Sequence, residues 1–213
     1  MKILVAILSC HRDRSIHQAQ RDTWLKDLKD VDYRFFLGRP AGQPESDEVF
    51  LDVDDGYLGL SHKTRAMCAW AHGCDYDFIH KTDTDTLVNP WTFLHSGFEQ
   101  HDYMGGENAD RVPTWGNRTV QFASGGAGYW LSKKAMAIVA STEVMTNAED
   151  VFVAIALLNK GILPVWHRGY RWRPGETVDK DMVSLHFSSA LQRKYDPKMM
   201  YEYYQKIGAT NGS

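Results

Sequence analysis

The sequence predicts an α/β domain with a mainly parallel central sheet flanked by helices. Three observations carry this. An uninterrupted apolar run, Ile3 to Leu8, opens the chain at strand length, as in a strand buried on both faces. Strand-like runs then alternate with helical periodicities. Finally, 213 residues suit one such domain with a sizeable core better than two, so residues 1–213 are read as a single unit.

Each element has a local reason. Lys2 to Leu8 is the first strand. Ser15 to Leu28 reads as a helix capped by Ser15, with Ile16, Ala19, Trp24 and Leu28 facing the core. Tyr33–Leu37 is a second strand, ended by Gly38-Arg39-Pro40. Residues 39–48 are a polar loop, and Val49–Val53 a third strand. Leu60 to Gly73 has helical spacing, with Gly73 as its C-cap. Phe78–Thr82 is a strand, and Asn89-Pro90 opens a helix. Phe122 to Leu131 mixes strand formers with glycines, and Ser132 caps a helix to about Ala140. A helix over Glu149–Asn159, a strand over Leu163–Trp166 and a helix over Pro197–Ile207 follow, with a frayed end from Gly208 to Ser213. The Met- and Tyr-rich last helix (Met199, Met200, Tyr203, Tyr204) is read as core or as a partner surface.

Composition narrows the class. The chain is 43% hydrophobic and 24% charged with a formal net charge of −3, which excludes a global positive field for nucleic acid or anionic lipid. No run of membrane-spanning length occurs. The amino-terminal apolar run is short and leads into Ser9-Cys10-His11-Arg12 without a small-residue cleavage site, so it reads as a strand and not as a signal peptide. Cys10, Cys68 and Cys74 match no zinc or redox spacing and are expected as free thiols in a reducing compartment. The expected location is the cytoplasm, without a membrane anchor. Asn117-Arg118-Thr119 matches a glycosylation sequon that has no use there.

Asp83-Thr84-Asp85 is the sharpest chemical signal. Two carboxylates one residue apart, just past a buried strand, can turn together towards a hard divalent cation such as Mg²⁺ or Mn²⁺; they can equally be solvated or cap a helix. The surrounding His80-Lys81-Thr82-Asp83-Thr84-Asp85-Thr86-Leu87-Val88-Asn89 resembles the signature of glycosyltransferase family 31, the fringe and β-1,3-galactosyltransferase family, with Thr84 where the family has a middle acidic residue. Four further segments are similar to family motifs and stand in the same order. They are Arg21-Asp22-Thr23-Trp24, Asp52 to Thr64, Ser124 to Ser132 and Glu149-Asp150-Val151. Gly59 and Ser61 replace the usual Asn and Thr, and one extra residue lies between the glycine pair and Tyr129.

The resemblance implies a GT-A fold, with a nucleotide-binding half over about 1–90 and an acceptor-binding half over about 91–213. It implies an inverting transfer from a UDP-sugar to an acceptor hydroxyl, with Mn²⁺ or Mg²⁺ as cofactor. Asp83 and Asp85 would hold the ion, His186 would be a third ligand, and Asp150 would match the catalytic base. Arg21 and Lys63 match positions near the nucleotide. Ser9, His11 and Arg12, which follow the first strand, are placed near the base, Thr84 beside the ribose-phosphate, and Gly125 and Gly126 where backbone must approach a sugar.

One segment stands apart from the donor site. From Trp166 to Pro174, Trp166, Arg168, Tyr170, Arg171, Trp172 and Arg173 alternate aromatic faces with cations, as an acceptor-binding patch for an anionic partner would, or as an amphipathic strand and loop would. The expected acceptor is a glycan. Hydroxymethylated DNA is the alternative that this patch favours and the pI of about 6.3 opposes. A silent carbohydrate-binding relative is the third reading, which the retained Asp83, Asp85 and Asp150 oppose.

Overall fold

The computed structural model describes residues 1–39, 42–108, 110–173, 175–190 and 194–211. Pro40 of the predicted strand-ending turn, Pro174 of the aromatic–cationic segment and Gly212-Ser213 lie outside the described residues.

The chain runs β1 (Ile3–Leu8), α1 (His17–Asp22), β2 (Asp32–Leu37), β3 (Glu48–Phe50), α2 (Leu60–Gly73), β4 (Phe78–Asp83), β5 (Thr86–Val88), α3 (Pro90–Phe93), β6 (Tyr103–Gly105), β7 (Thr114–Trp115), β8 (Arg118–Thr119), β9 (Tyr129–Ser132), α4 (Lys133–Ser141), α5 (Glu149–Leu158), β10 (Val165–Trp166), β11 (Tyr170–Arg171), β12 (Ser184–His186), α6 (Phe187–Ala190) and α7 (Pro197–Asn211). A seven-stranded sheet in the order β10-β6-β9-β4-β1-β2-β3 forms the centre. It is parallel except at β9, which runs antiparallel to both β4 and β6. A second sheet, β11-β12-β5, and the hairpin β7-β8 lie outside it.

Strand alternation in β1 explains the two layers of core. Leu4, Ala6 and Leu8 pack with Met67 and Cys68 of α2, Met136 of α4 and Phe152 of α5. Ile3, Val5 and Ile7 point the other way, into a cluster with Trp24, Phe93, Leu185 and Met200. Both faces of the first strand are therefore covered, which is why its sequence is apolar without alternation. Met199 and Met200 of the last helix are core residues.

Several expectations are corrected. The Ser15–Leu28 helix is broken into a 3-10 turn over His11–Ile16, the short α1, and another 3-10 turn over Trp24–Asp27. Ser15 caps nothing; Thr23, whose hydroxyl donates back to Ala19 O at 2.5 Å, leaves the helical region and ends α1. After α2 the left-handed residue is Asp75 (φ 64°), not Gly73. The third strand spans only Glu48–Phe50. In the Phe122–Leu131 segment only β9 is a strand, because the chain first turns through Gly128 (φ 88°). Leu163 and Pro164 precede β10 without joining it, and α7 extends to Asn211, past the predicted end at Ile207. Cys10, Cys68 and Cys74 are free thiols. Among the described residues no helix is long and apolar enough to cross a membrane.

Candidate metal-binding cleft

β1 and β4 pair in parallel with Leu8 opposite Asp83, so their carboxyl ends reach the same edge of the sheet. A cleft of about 1000 Å³ opens there. Such an edge gathers ligands because strand ends and the loops after them converge on one crevice.

The turn after β4 carries the acidic motif. Gln20, buried on α1, donates through Nε2 to the carbonyls of Asp83 (3.1 Å) and Thr86 (3.2 Å) and so fixes the turn from behind. β5 then pairs with β12, placing His186 opposite Thr86. That register brings together Asp83, Asp85 and His186, whose ligand atoms all lie within 4.8 Å of one another. His186 Nδ1 is 3.3 Å from Asp85 Oδ1 and 3.3 Å from Thr86 Oγ1, and the Ser188 hydroxyl donates to Asp85 Oδ2. Burial works against both charges, but the pairing prevails: the Asp85 carboxyl is held below its usual value and the His186 imidazole above. Gly126 lies flat against the His186 ring, where a Cβ would stand 2.6 Å from Cδ2, so any side chain would push the imidazole out of the cluster.

The adjoining wall is charged and buried. Lys81 Nζ reaches Asp83 Oδ1 at 2.8 Å, Gly125 O at 3.0 Å and Glu149 Oε2 at 3.3 Å. Burial opposes its charge, yet Asp83 and Glu149 raise its pKa above the usual lysine value. Glu149 also accepts from the Tyr129 hydroxyl, and burial outweighs the Lys81 charge to push its carboxyl up to about 7. Next to it, Asp150 accepts from Val151 N (2.9 Å) and Gly125 N (3.4 Å) and pairs with Arg111.

Of the residues expected near a nucleotide, Ser9, Arg12, Lys63, Asp83 and Thr84 line the cleft. Lys63 is fully buried and donates to Ser9 O (2.6 Å) and Asp55 Oδ1 (2.8 Å), so it shapes the wall and its ammonium is already occupied. His11 and Arg21 are not among the lining residues. His11 is spent on Asp55 and on the Arg39 carbonyl, and Arg21 on Asp47 and Glu45. Gly125 and Gly126 act through their carbonyls, which accept from Lys81 and Thr86.

The aromatic–cationic segment is gathered only in part, and away from the cleft. Tyr170 is 3% exposed and its hydroxyl accepts from Trp130 Nε1 at 2.6 Å, which removes it from any acceptor surface. Arg171 pairs with Asp179, Trp172 Nε1 donates to Glu107 O, and Arg173 stacks over Trp172. Trp166, Arg168 and Arg171 line a different cavity.

Sequence reading missed Gln20, Asp55, Glu149, Ser188, Lys194 and Tyr195. Asp55 ties three segments, accepting from His11 N, Gly38 N and Lys63 Nζ. Lys194 and Tyr195 line the cleft from a region with no motif. Only Asp55 and Glu149 carried a signal, as acidic residues within the quoted motifs.

No protein-family model matches the chain, and no curated protein matches it in sequence. Its fold is similar to the crystal structure of a glycosyltransferase involved in the glycosylation of the major capsid of PBCV-1, at 11% identity and a TM-score of 0.54, over 96% of this chain and 100% of that one. At that identity the likeness is one of fold alone, and it does not single out the fringe-like family.

Proposed function

We propose that this chain is a metal-dependent, inverting glycosyltransferase of the GT-A type that moves a sugar from a UDP-sugar to an acceptor hydroxyl, with a glycan as acceptor. The observation that carries the reading is the meeting of Asp83, Asp85 and His186 at the carboxyl end of the two central strands, with Asp83 and Asp85 lining the cleft and His186 behind them. The donor set fits the ion: two carboxylates and an imidazole suit Mn²⁺ better than an all-oxygen site would, and three protein ligands leave positions for diphosphate oxygens. When bound, the ion supplies Lewis-acid stabilisation of the leaving diphosphate.

The chain's own residues do the rest. Gln20 and Ser188 hold the two aspartates in place, and Lys63 with Asp55 sets the wall where a nucleotide would lie. Asp150 takes the acceptor proton as the new glycosidic bond forms at the anomeric carbon and the bond to UDP breaks. Gly125 connects the two ends of the site, its N–H on Asp150 and its carbonyl on Lys81.

The test is hydrolysis and transfer with a panel of nucleotide sugars in Mn²⁺. Turnover abolished by chelator and reduced at least 100-fold in Asp85→Asn, with Mn²⁺ binding lost by the same variant, is the expected result. Turnover that survives chelation or the Asp85 substitution would overturn the reading.

A further inference from the structure

A second cavity, of about 750 Å³, shares no lining residue with the cleft. β5 and β12 run away from the metal cluster, from Thr86 and His186 at one end to Asn89 and Val183 at the other, roughly 10 Å at strand rise. The cavity lies past that far end, between α3 and the loops after β10 and before β12.

Its walls combine three kinds of group. Trp91, 45% exposed with one side stacked towards Tyr204, and Trp166, half-buried against the core, each leave part of an indole surface open. Arg168 and Lys180 are exposed cations with no hydrogen bond or ion pair to another described residue, while the neighbouring Arg171 is already matched by Asp179. Asp181 and His167 supply polar groups suited to hydroxyls; His167 Nδ1 accepts from Gly169 N at 3.1 Å, which leaves Nε2 to donate.

The turn that presents Arg168 is locked. Gly169 O accepts from Val183 N (2.8 Å) and Ser184 N (3.1 Å), and a Cβ on Gly169 would stand 2.7 Å from Asp181 O. The backbone beneath Arg168 is therefore pinned to the segment that carries Asp181. Aromatic faces for sugar rings, a carboxylate and an imidazole for hydroxyls, and unpaired cations for a carboxylate make one coherent recognition set. The unpaired cations exceed Asp181 by a single charge, too few to neutralise the successive phosphates of a nucleic acid.

We infer that this cavity is a second saccharide-binding site, separate from the cleft, for an oligosaccharide with sparse negative charge such as one acidic sugar in two. The inference does not depend on the transferase reading. It is tested by calorimetric titration of the full chain with hyaluronan hexasaccharide, which carries a carboxylate on every second sugar, against neutral chitohexaose and poly(U).

The expected result is binding of the acidic hexasaccharide that falls at least tenfold in Trp166→Ala and in the Arg168→Ala/Lys180→Ala double variant. The double variant changes only exposed side chains, so its result stands if Trp166→Ala misfolds. Asp85→Asn is expected to bind the probe like the wild type, which separates this test from that of the cleft. No binding, equal binding of chitohexaose, tighter binding of poly(U), or unchanged affinity in the double variant would each overturn the inference.

Discussion

Lys81 shows how a single residue holds the candidate site together. Its ammonium is buried with Asp83, Glu149 and the Gly125 carbonyl around it, and Glu149 in turn is buried against Tyr129. Removing one partner of such a buried pair is costly because the other charge stays behind without compensation. Lys81→Met is therefore expected to lower stability by about 3–5 kcal/mol, read from urea unfolding in chelator. Adding Glu149→Leu to it should restore most of that loss, since no buried carboxylate is left stranded. A double variant no more stable than Lys81→Met would show that Glu149 is not the group Lys81 serves. Legibility at this scale was uneven. Asp83 and Asp85 stood out by spacing, and His186 joined them through the family resemblance. Gln20 and Ser188 gave no signal, because an amide and a hydroxyl that brace a turn from distant positions leave no local pattern.

Among the elements, those with a long period or a side-chain cap were the most legible. α2 begins and ends where its spacing indicated, and α4 starts at Ser132, whose Oγ accepts from Ala135 N at 3.2 Å and donates to Asp102 at 2.6 Å. Ser132→Ala should cost about 1 kcal/mol in the urea midpoint, while Ser132→Thr, which keeps the acceptor, should change it by only a few tenths. Equal losses in both would place the effect in packing and not in the cap. Elements of two to four residues were largely illegible: β5, β11 and β12 are too short for period-two alternation, and they form only because each finds a partner elsewhere in the chain. That matters for the site, since it is the pairing of β5 with β12 that delivers His186 to Asp85. The segment from Ser15 to Leu28 failed for the opposite reason. Its apolar spacing is helical, but Thr23 bonds backwards and breaks it, while Trp24 and Leu25 still reach the core.

The whole molecule was legible as a layered α/β domain because β1 is apolar on both faces and must be central. Its buried polar groups were not. His17 stacks on Phe35 and meets Ser9 Oγ at 2.6 Å, and burial pushes its pKa down to about 4. His80 sits among Phe93, Trp130 and Tyr170, with neither ring nitrogen hydrogen-bonded to a described residue, and burial pushes its pKa down to about 3. Both are neutral in the folded protein and titrate near 6.5 once unfolded. Between those values the unfolded chain binds more protons, so the stability they permit is complete above about pH 6.5 and is lost as pH falls towards 4 and then 3. Glu149, pushed by burial up to about 7, and His186, raised by Asp85, have the opposite sign and offset part of that loss. The urea midpoint in chelator should therefore carry a downward contribution from the two histidines between pH 7 and pH 5, set against the upward one from Glu149 and His186. His80→Phe keeps the aromatic contacts and removes one of the two histidine protonations, so relative to the wild type its midpoint should gain as pH falls from 7 to 5. A slope identical to that of the wild type would mean that water reaches His80 and that the aromatic layer beneath the cleft is not closed.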